Sequence, residues 1–262
     1  MTGFDKDWLA LREPADRRAR DTRLLQTAAD LIERQADPHI LDIGCGTGST
    51  YRAFEKKLGA TIRWSLFDHD ETLLAEAEQR HGSQGITFIR GDLNDLSVLP
   101  VDGVSLVTAS ALFDLCSPAF IDRFVRRLKE AGAGLYAALN YDGVIAWTVS
   151  HPLDEVVTTA FNEHQKTDKG FGVSAGPDAW TLLSNDLQAQ GYQVTTAPSP
   201  WLMDVPDAAL QHLFLQGVVE AVADRGTIAK SELQAWHQFR LHAIGGAGSL
   251  CRVGHQDVLA FL

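Results

Sequence analysis

The sequence has no apolar run long enough to cross a bilayer. Its most apolar stretch, Val104 to Cys116, is short and carries Asp114, which fits a buried element and excludes a spanning helix, so no membrane is expected as a partner. The opening residues, Met1-Thr2-Gly3-Phe4-Asp5-Lys6-Asp7-Trp8, mix both charge signs without an apolar core, and no secretory signal is expected. Cysteine is scarce: Cys45, Cys116 and Cys251 are far apart and odd in number. That spacing argues against a disulfide framework or a paired Cys-x-x-Cys zinc site and fits a reducing, cytoplasmic setting. Positive charge is also in deficit, with 23 Lys and Arg against 34 Asp and Glu and a formal charge of -11. A basic face that neutralises phosphates is therefore not expected, and neither is a nucleic-acid partner. The clusters Arg17-Arg18-Ala19-Arg20 and Arg126-Arg127 with Lys129 read as solvated helix faces.

What is present is an alternation of two periods. Hydrophobic residues make up 45% of 262, enough for one large α/β domain with an elaboration. Arg23 to Ala36 has the stripe of an amphipathic helix, stopped by Pro38. Ile40 to Ile43, Trp64 to Phe67, Ile86 to Ile89, Val104 to Thr108 and Leu135 to Leu139 read as short buried strands. Helical patterns lie between them at Ser49 to Leu58, Glu71 to Arg80 and, after a Ser117-Pro118 cap, up to Ala131. Further helices are expected at Asp178 to Gln190, Asp207 to Ala223 and Ser231 to Leu241, with strands at Tyr192 to Thr196 and Asp257 to Leu262. The expected fold is α/β: a doubly wound, seven-stranded, mostly parallel sheet with helices on both faces. Its organisation divides as an N-terminal helical cap (1–38), a cofactor-binding core (39–140), an insertion or lid after strand five (141–177), and the remainder of the core (178–262).

The central chemical signal is Asp42-Ile43-Gly44-Cys45-Gly46-Thr47-Gly48, between a strand and a helix. Glycines there let the backbone turn tightly and approach a ligand at the helix N-terminus. A second acid, Asp68, closes the next strand, where a carboxylate can accept hydrogen bonds from both hydroxyls of a ribose. Gly44, Gly46 and Gly48 place the third glycine one position earlier than a nicotinamide-dinucleotide loop requires, with Ser49 in the dinucleotide position.

This loop resembles motif I of the class I, Rossmann-like S-adenosylmethionine-dependent methyltransferases of the small-molecule type. Phe67-Asp68-His69-Asp70-Glu71-Thr72-Leu73-Leu74 looks like the family's second motif, and Gly91-Asp92-Leu93 is similar to its adenine segment. The resemblance covers roughly Ile40 to Leu139. It implies S-adenosylmethionine as methyl donor and S-adenosylhomocysteine as product. By the same resemblance, Asp42, Gly44, Cys45, Gly46 and Gly48 lie at the methionine end, Asp68 with His69 at the ribose, Asp92 with Leu93 at the adenine, and Ala109 with Ser110 near the sulfonium. The Cys45 side chain is expected to pack rather than react. Asp70 reads equally as a helix N-cap and Asp92 as a turn residue.

Methyl transfer from a sulfonium is a direct displacement, so alignment matters more than any universal catalytic motif. Ser110-Ala111-Leu112-Phe113 stands where methyltransferases of nucleic-acid amines carry an Asn/Asp-Pro-Pro-aromatic loop, and this favours a small-molecule substrate. The candidate acceptor side is Tyr141 to Gly176, with Tyr141, His164 and Lys169 as substrate contacts, His164 as general base, and Gly170 with Gly172 as hinges; a solvated helix end is the alternative. Arg12 is a candidate for a bidentate pair with a carboxylate of substrate or cofactor, or for an ion pair with Glu13 or Asp16. Trp180 and Trp201 are candidate pocket walls or core. His164 and Asp168 could share a helix face, but His151, His237 and His242 show no ligand spacing with them, and no metal is expected. An NAD(P)-dependent oxidoreductase and a non-catalytic S-adenosylmethionine-binding protein are the alternatives.

Overall fold

The computed structural model describes residues 6–59 and 62–262. Helices α1 (Lys6–Ala19) and α2 (Thr22–Glu33) precede the sheet. The alternating core follows as β1 (His39–Ile43), α3 (Ser49–Phe54), β2 (Arg63–Asp68), α4 (Glu71–His81), β3 (Ile86–Arg90), β4 (Leu106–Ser110), α5 (Pro118–Ala131) and β5 (Gly134–Trp147). The rest comprises α6 (Asp154–Gln165), α7 (Ala179–Ala189), β6 (Gln193–Pro198), β7 (Trp201–Met203), α8 (Ala208–Arg225), α9 (Lys230–Ala243) and β8 (Cys251–Phe261). Local chemistry explains several ends. Asp21, Asp70 and Ser117 each accept hydrogen bonds from the first free amides of α2, α4 and α5, and Gly132 closes α5 in the left-handed conformation. Asp70 is thus the N-cap of its helix.

The strands order as β3-β2-β1-β4-β5-β8-β6, with β7 continuing the β6 row along β8. β1 to β5 are parallel, and β8 runs antiparallel to both β5 and β6. Alternate residues of each strand serve two cores. Leu41, Ile43, Val107 and Leu135 pack against Phe124, Leu128 and Leu183 of α5 and α7. Ile40, Leu66, Leu106 and Tyr136 pack against Ile32, Phe54 and Leu74 of α2, α3 and α4. This is the doubly wound arrangement that the βα alternation predicts.

Three boundaries differ from expectation, those of the two strands because tertiary pairing overrides local pattern. β5 does not stop at Leu139. It runs on to Trp147 through the polar Asn140-Tyr141-Asp142-Gly143, pairing Tyr141 with His255 and Trp147 with Cys251. β8 correspondingly begins at Cys251 rather than Asp257, and the short β7 adds to its other edge. Helix α3 ends at Phe54, short of Leu58. On the extended ends of β5 and β8 a third core forms, where Tyr141, Ile145, Trp201 and Val253 meet α6, α8 and α9 through Val157, Leu215, Val218 and Trp236.

Asp257 ties these parts together. It is fully buried and accepts from the Asp21 amide at 2.9 Å, the Tyr136 hydroxyl at 3.1 Å and the Leu139 amide at 2.8 Å. Between Ala137↔Val258 and Asn140↔Gln256 two residues of β5 oppose Asp257 alone, a β-bulge that turns Leu139 to φ 57°. Asp257→Ala would leave three buried donors unpaired. We expect a loss of about 3 kcal/mol or more in urea denaturation; a loss under about 1 kcal/mol would show that the bulge holds without it.

Asp42, at the end of β1, accepts from the Thr108 hydroxyl of β4 at 2.7 Å. Burial raises its pKa from 3.8 to about 7, although Thr108 pulls the other way. Folded chains therefore hold this proton at pH values where unfolded chains have lost it. Its contribution to stability is full below about pH 4 and is lost as pH rises through about 7. Asp42→Asn should flatten the stability profile across that window, measured by denaturation at matched pH values.

Candidate active site

The carboxyl ends of β1, β2, β3 and β4 open onto a cleft of about 550 Å³, within the range of small-ligand sites. Gly44 and Gly46 form its floor, Asp68 and His69 one wall, Gly91 to Leu93 the next, and Ser110 to Leu112 the side facing β4. The glycine loop is held open by its neighbours. Gly46 has φ 52°, and a Cβ there would come within 3.2 Å of Leu9 in α1. Its amide donates to Asp68 Oδ2 at 2.8 Å, while Asp68 Oδ1 accepts from the Asp70 amide at 2.9 Å. The β2 acid thus fixes the loop and still borders the cleft. Gly48 looks inward: a Cβ there would meet His81 Nε2 at 2.9 Å.

The sequence-predicted residues therefore separate into two groups. Gly44, Gly46, Asp68, His69, Asp92, Leu93 and Ser110 share the cleft wall, joined by Arg12 and Lys169. Asp42, Gly48 and Ala109 lie behind that wall, because they belong to strand interiors or to the packed underside of the loop. Cys45 is buried and faces a narrow crevice below Arg12. Burial pushes its thiol pKa well up, which leaves it unreactive.

Helix α1 covers the cleft and is clamped down. Arg52 of α3 reaches both oxygens of Glu13 at 2.6 Å, and Arg18 reaches both oxygens of Asp207 at 2.6 and 2.7 Å. Arg12 makes the paired hydrogen bonds to Asp16 at 2.9 and 3.2 Å that its alternative reading anticipates. It is not a surface pair: Arg12 is 9% exposed, stacks over Trp201 at 5.1 Å, and Trp201 Nε1 also donates to Asp16.

A second cavity of about 430 Å³ adjoins the first, sharing Trp8, Arg12, Ala111 and Leu115 with it. Its walls are Phe161, Trp201, Phe214 and Val218, and its polar groups are Asp114, Tyr141, His164, Gln165 and His255. Two non-glycine residues with positive φ, Ala111 (51°) and Leu139 (57°), stand at its rim. Strained backbone of this kind concentrates at ligand sites. Tyr141 donates to Asn162 at 2.8 Å, and burial raises its pKa well above the ordinary value.

His164 lies in this second cavity and Lys169 in the cleft, joined by a 3.2 Å hydrogen bond from Lys169 Nζ to His164 Nδ1. Burial lowers both pKa values, with the Lys169 charge adding to the effect on His164. An ammonium only donates, so a neutral His164 spends its one acceptor nitrogen on Lys169, and its other nitrogen sits 3.7 Å from Asp224. In this arrangement His164 stands between Lys169 of the cleft and Asp224 of α8. Two pocket residues escaped the sequence reading. Asp114 was visible as a lone acid in an apolar run; His255, inside a polar stretch of β8, gave no signal. Trp180 packs partly buried against the α5–α7 core rather than in either cavity.

Among the described residues no helix is long and apolar enough to cross a membrane. Residues 40–132 match the family described as "Methyltransferase domain". The chain is 24% identical over 229 residues to the trans-aconitate 2-methyltransferases of Acidovorax ebreus (strain TPSY) and Acidovorax sp. (strain JS42), covering 84% of this chain and 80% of theirs. Among solved structures, the cyclopropane synthase MmaA2 of Mycobacterium tuberculosis is similar with a TM-score of 0.53 at 12% identity, covering 98% of this chain and 94% of that one. A cyclopropane-fatty-acyl-phospholipid synthase-like protein of Lactobacillus casei gives 0.53 at 13% identity, covering 95% and 99%. Glycine loop, sheet order and family match agree that residues 40–132 are a methyltransferase domain.

Proposed function

We propose that this methyltransferase alkylates a small-molecule acceptor held in the aromatic cavity beside the cofactor cleft. The observation that carries the reading is the junction itself: two cavities of ligand size meet at Trp8, Arg12, Ala111 and Leu115. Bound S-adenosylmethionine supplies an electrophilic methyl group. The chain does the rest by placement and by excluding water. Gly44 and Gly46 leave backbone space for the methionine end, Asp68 accepts from ribose hydroxyls, and Asp92 with Leu93 borders the adenine. Asp42, Gly48 and Ala109 shape the loop and strand from behind. Ser110, held at 3.0 Å by the buried Arg20, sets the β4 side of the passage. The trans-aconitate relatives, the acidic charge of the chain and the ligand-sized cavity support a small acceptor over a nucleic acid. The three free, buried cysteines fit a reducing, cytoplasmic compartment.

Calorimetry decides between this cofactor and a dinucleotide. S-adenosylhomocysteine should bind saturably and NAD should not, and Asp68→Asn should weaken S-adenosylhomocysteine by roughly 1.5–3 kcal/mol through lost hydrogen bonds to a charged group. NAD binding with no response to S-adenosylhomocysteine would overturn the reading, and unchanged affinity in folded Asp68→Asn would remove Asp68 from the ribose.

A further inference from the structure

The second cavity has apolar walls and an unusual charge balance. Arg12 is the one Lys or Arg lining it among the described residues, and its Nε and Nη2 are committed to Asp16. Asp16 in turn accepts from Trp201, so this ion pair is complete before any ligand arrives. Lys169 lines the neighbouring cleft and donates to His164. Against this neutral frame stands Asp114, on the short turn Phe113–Leu115 that follows β4. Its Oδ1 is shut off from solvent and has no hydrogen-bond partner. Across the pocket His255 of β8, 6% exposed, likewise keeps Nδ1 unpartnered while its ring sits 5.1 Å from Trp201 and 6.2 Å from Tyr141.

A carboxylate in apolar surroundings is stabilised by a donor that a ligand can supply. A carboxylate ligand would place a second negative charge beside the first, with the one guanidinium lining the cavity already bound to Asp16 through two of its nitrogens. From the Asp114 carboxyl lining the cavity, the Arg12–Asp16 pair and the aromatic walls, we infer that the acceptor is an uncharged, largely apolar molecule whose hydroxyl donates to Asp114. Asp114 is then the residue that selects against carboxylate acceptors. This rests on the methyltransferase reading of the cavity and names its substrate class.

The groups facing Asp114 define its behaviour with pH. Arg12 of α1, Tyr141 of β5 and the adjacent Cys116 thiol interact with it, and His164 of α6 and His255 of β8 line the same cavity. Burial raises the Asp114 pKa to about 6 against the opposing pull of Arg12, and burial holds His255 neutral with a pKa near 3. Asp114 is therefore ionised above about pH 6, and its rejection of anions should be strongest there.

The test uses two probes of one shape, 2-naphthol and 2-naphthoate, titrated into the full chain saturated with S-adenosylhomocysteine. At pH 7.5 the naphthol should bind at least about tenfold more tightly than the naphthoate, the difference expected for one like-charge contact in a desolvated site. That ratio should shrink severalfold at pH 5, where naphthoate is still ionised and Asp114 is not. Asp114→Asn should give a small ratio at pH 7.5 with unchanged S-adenosylhomocysteine affinity. Equal or tighter naphthoate binding, no binding of either probe, or a ratio indifferent to both pH and Asp114→Asn would overturn the inference. Should the variant not fold, the wild-type pH series decides alone. Failure of S-adenosylhomocysteine to bind would instead defeat the methyltransferase reading, so the two failures are distinguishable.

Discussion

The bulge at Asp257 is the constraint on which the site depends. A carboxylate buried between β5, β6 and the α1–α2 junction must be satisfied, and it is satisfied by two donors of β5 and by the Asp21 amide ahead of α2. Accepting from the Leu139 amide holds that residue in a left-handed conformation a branched side chain seldom adopts. That kink displaces β5 just where it leaves the parallel sheet. From there the strand continues beside β8, which β7 pairs on its other edge, and α6, α8 and α9 pack on this arm, with α6 and α8 lining the second cavity. One hydrogen-bonded acid therefore stands where the parallel sheet passes into the arm that carries the second cavity.

The second link is electrostatic. Helix α1 carries many charges, and two inward-facing acids have partners, Glu13 with Arg52 and Asp16 with Arg12, while the exposed Arg18 pairs with Asp207 at the surface. The first two pairs are largely shielded from solvent, so breaking one strands a charge and the helix is fixed rather than loosely draped. Its fixed position places Trp8 and Arg12 between the two cavities. The same pairing binds Arg12, the one Lys or Arg lining the second cavity among the described residues, to Asp16, while Asp114 lines that cavity as well.

The sequence by itself determined the parts governed by short-range rules. Strand and helix periods, the Asp70 and Ser117 caps, and the spacing of Gly44, Gly46, Gly48 and Asp68 are local patterns, and together they specified the βα core and its cofactor. Tertiary structure decided what depends on contacts distant in sequence. Asn140 to Trp147 looks like a loop because its polar and glycine residues hide a strand that only β8, more than a hundred residues later, completes. Asp42 and Gly48 share the motif of Gly44 and Gly46 but face inward, since a motif fixes spacing and the packing of Thr108 and His81 fixes direction. The hydrogen bond between His164 and Lys169 across the boundary of the two cavities likewise belongs to the folded chain. Asp114 and His255 lie more than a hundred residues apart and acquire a role only when β4 and β8 bring them to one cavity, because burial and partner count, which set what a side chain can do, are properties of the folded chain.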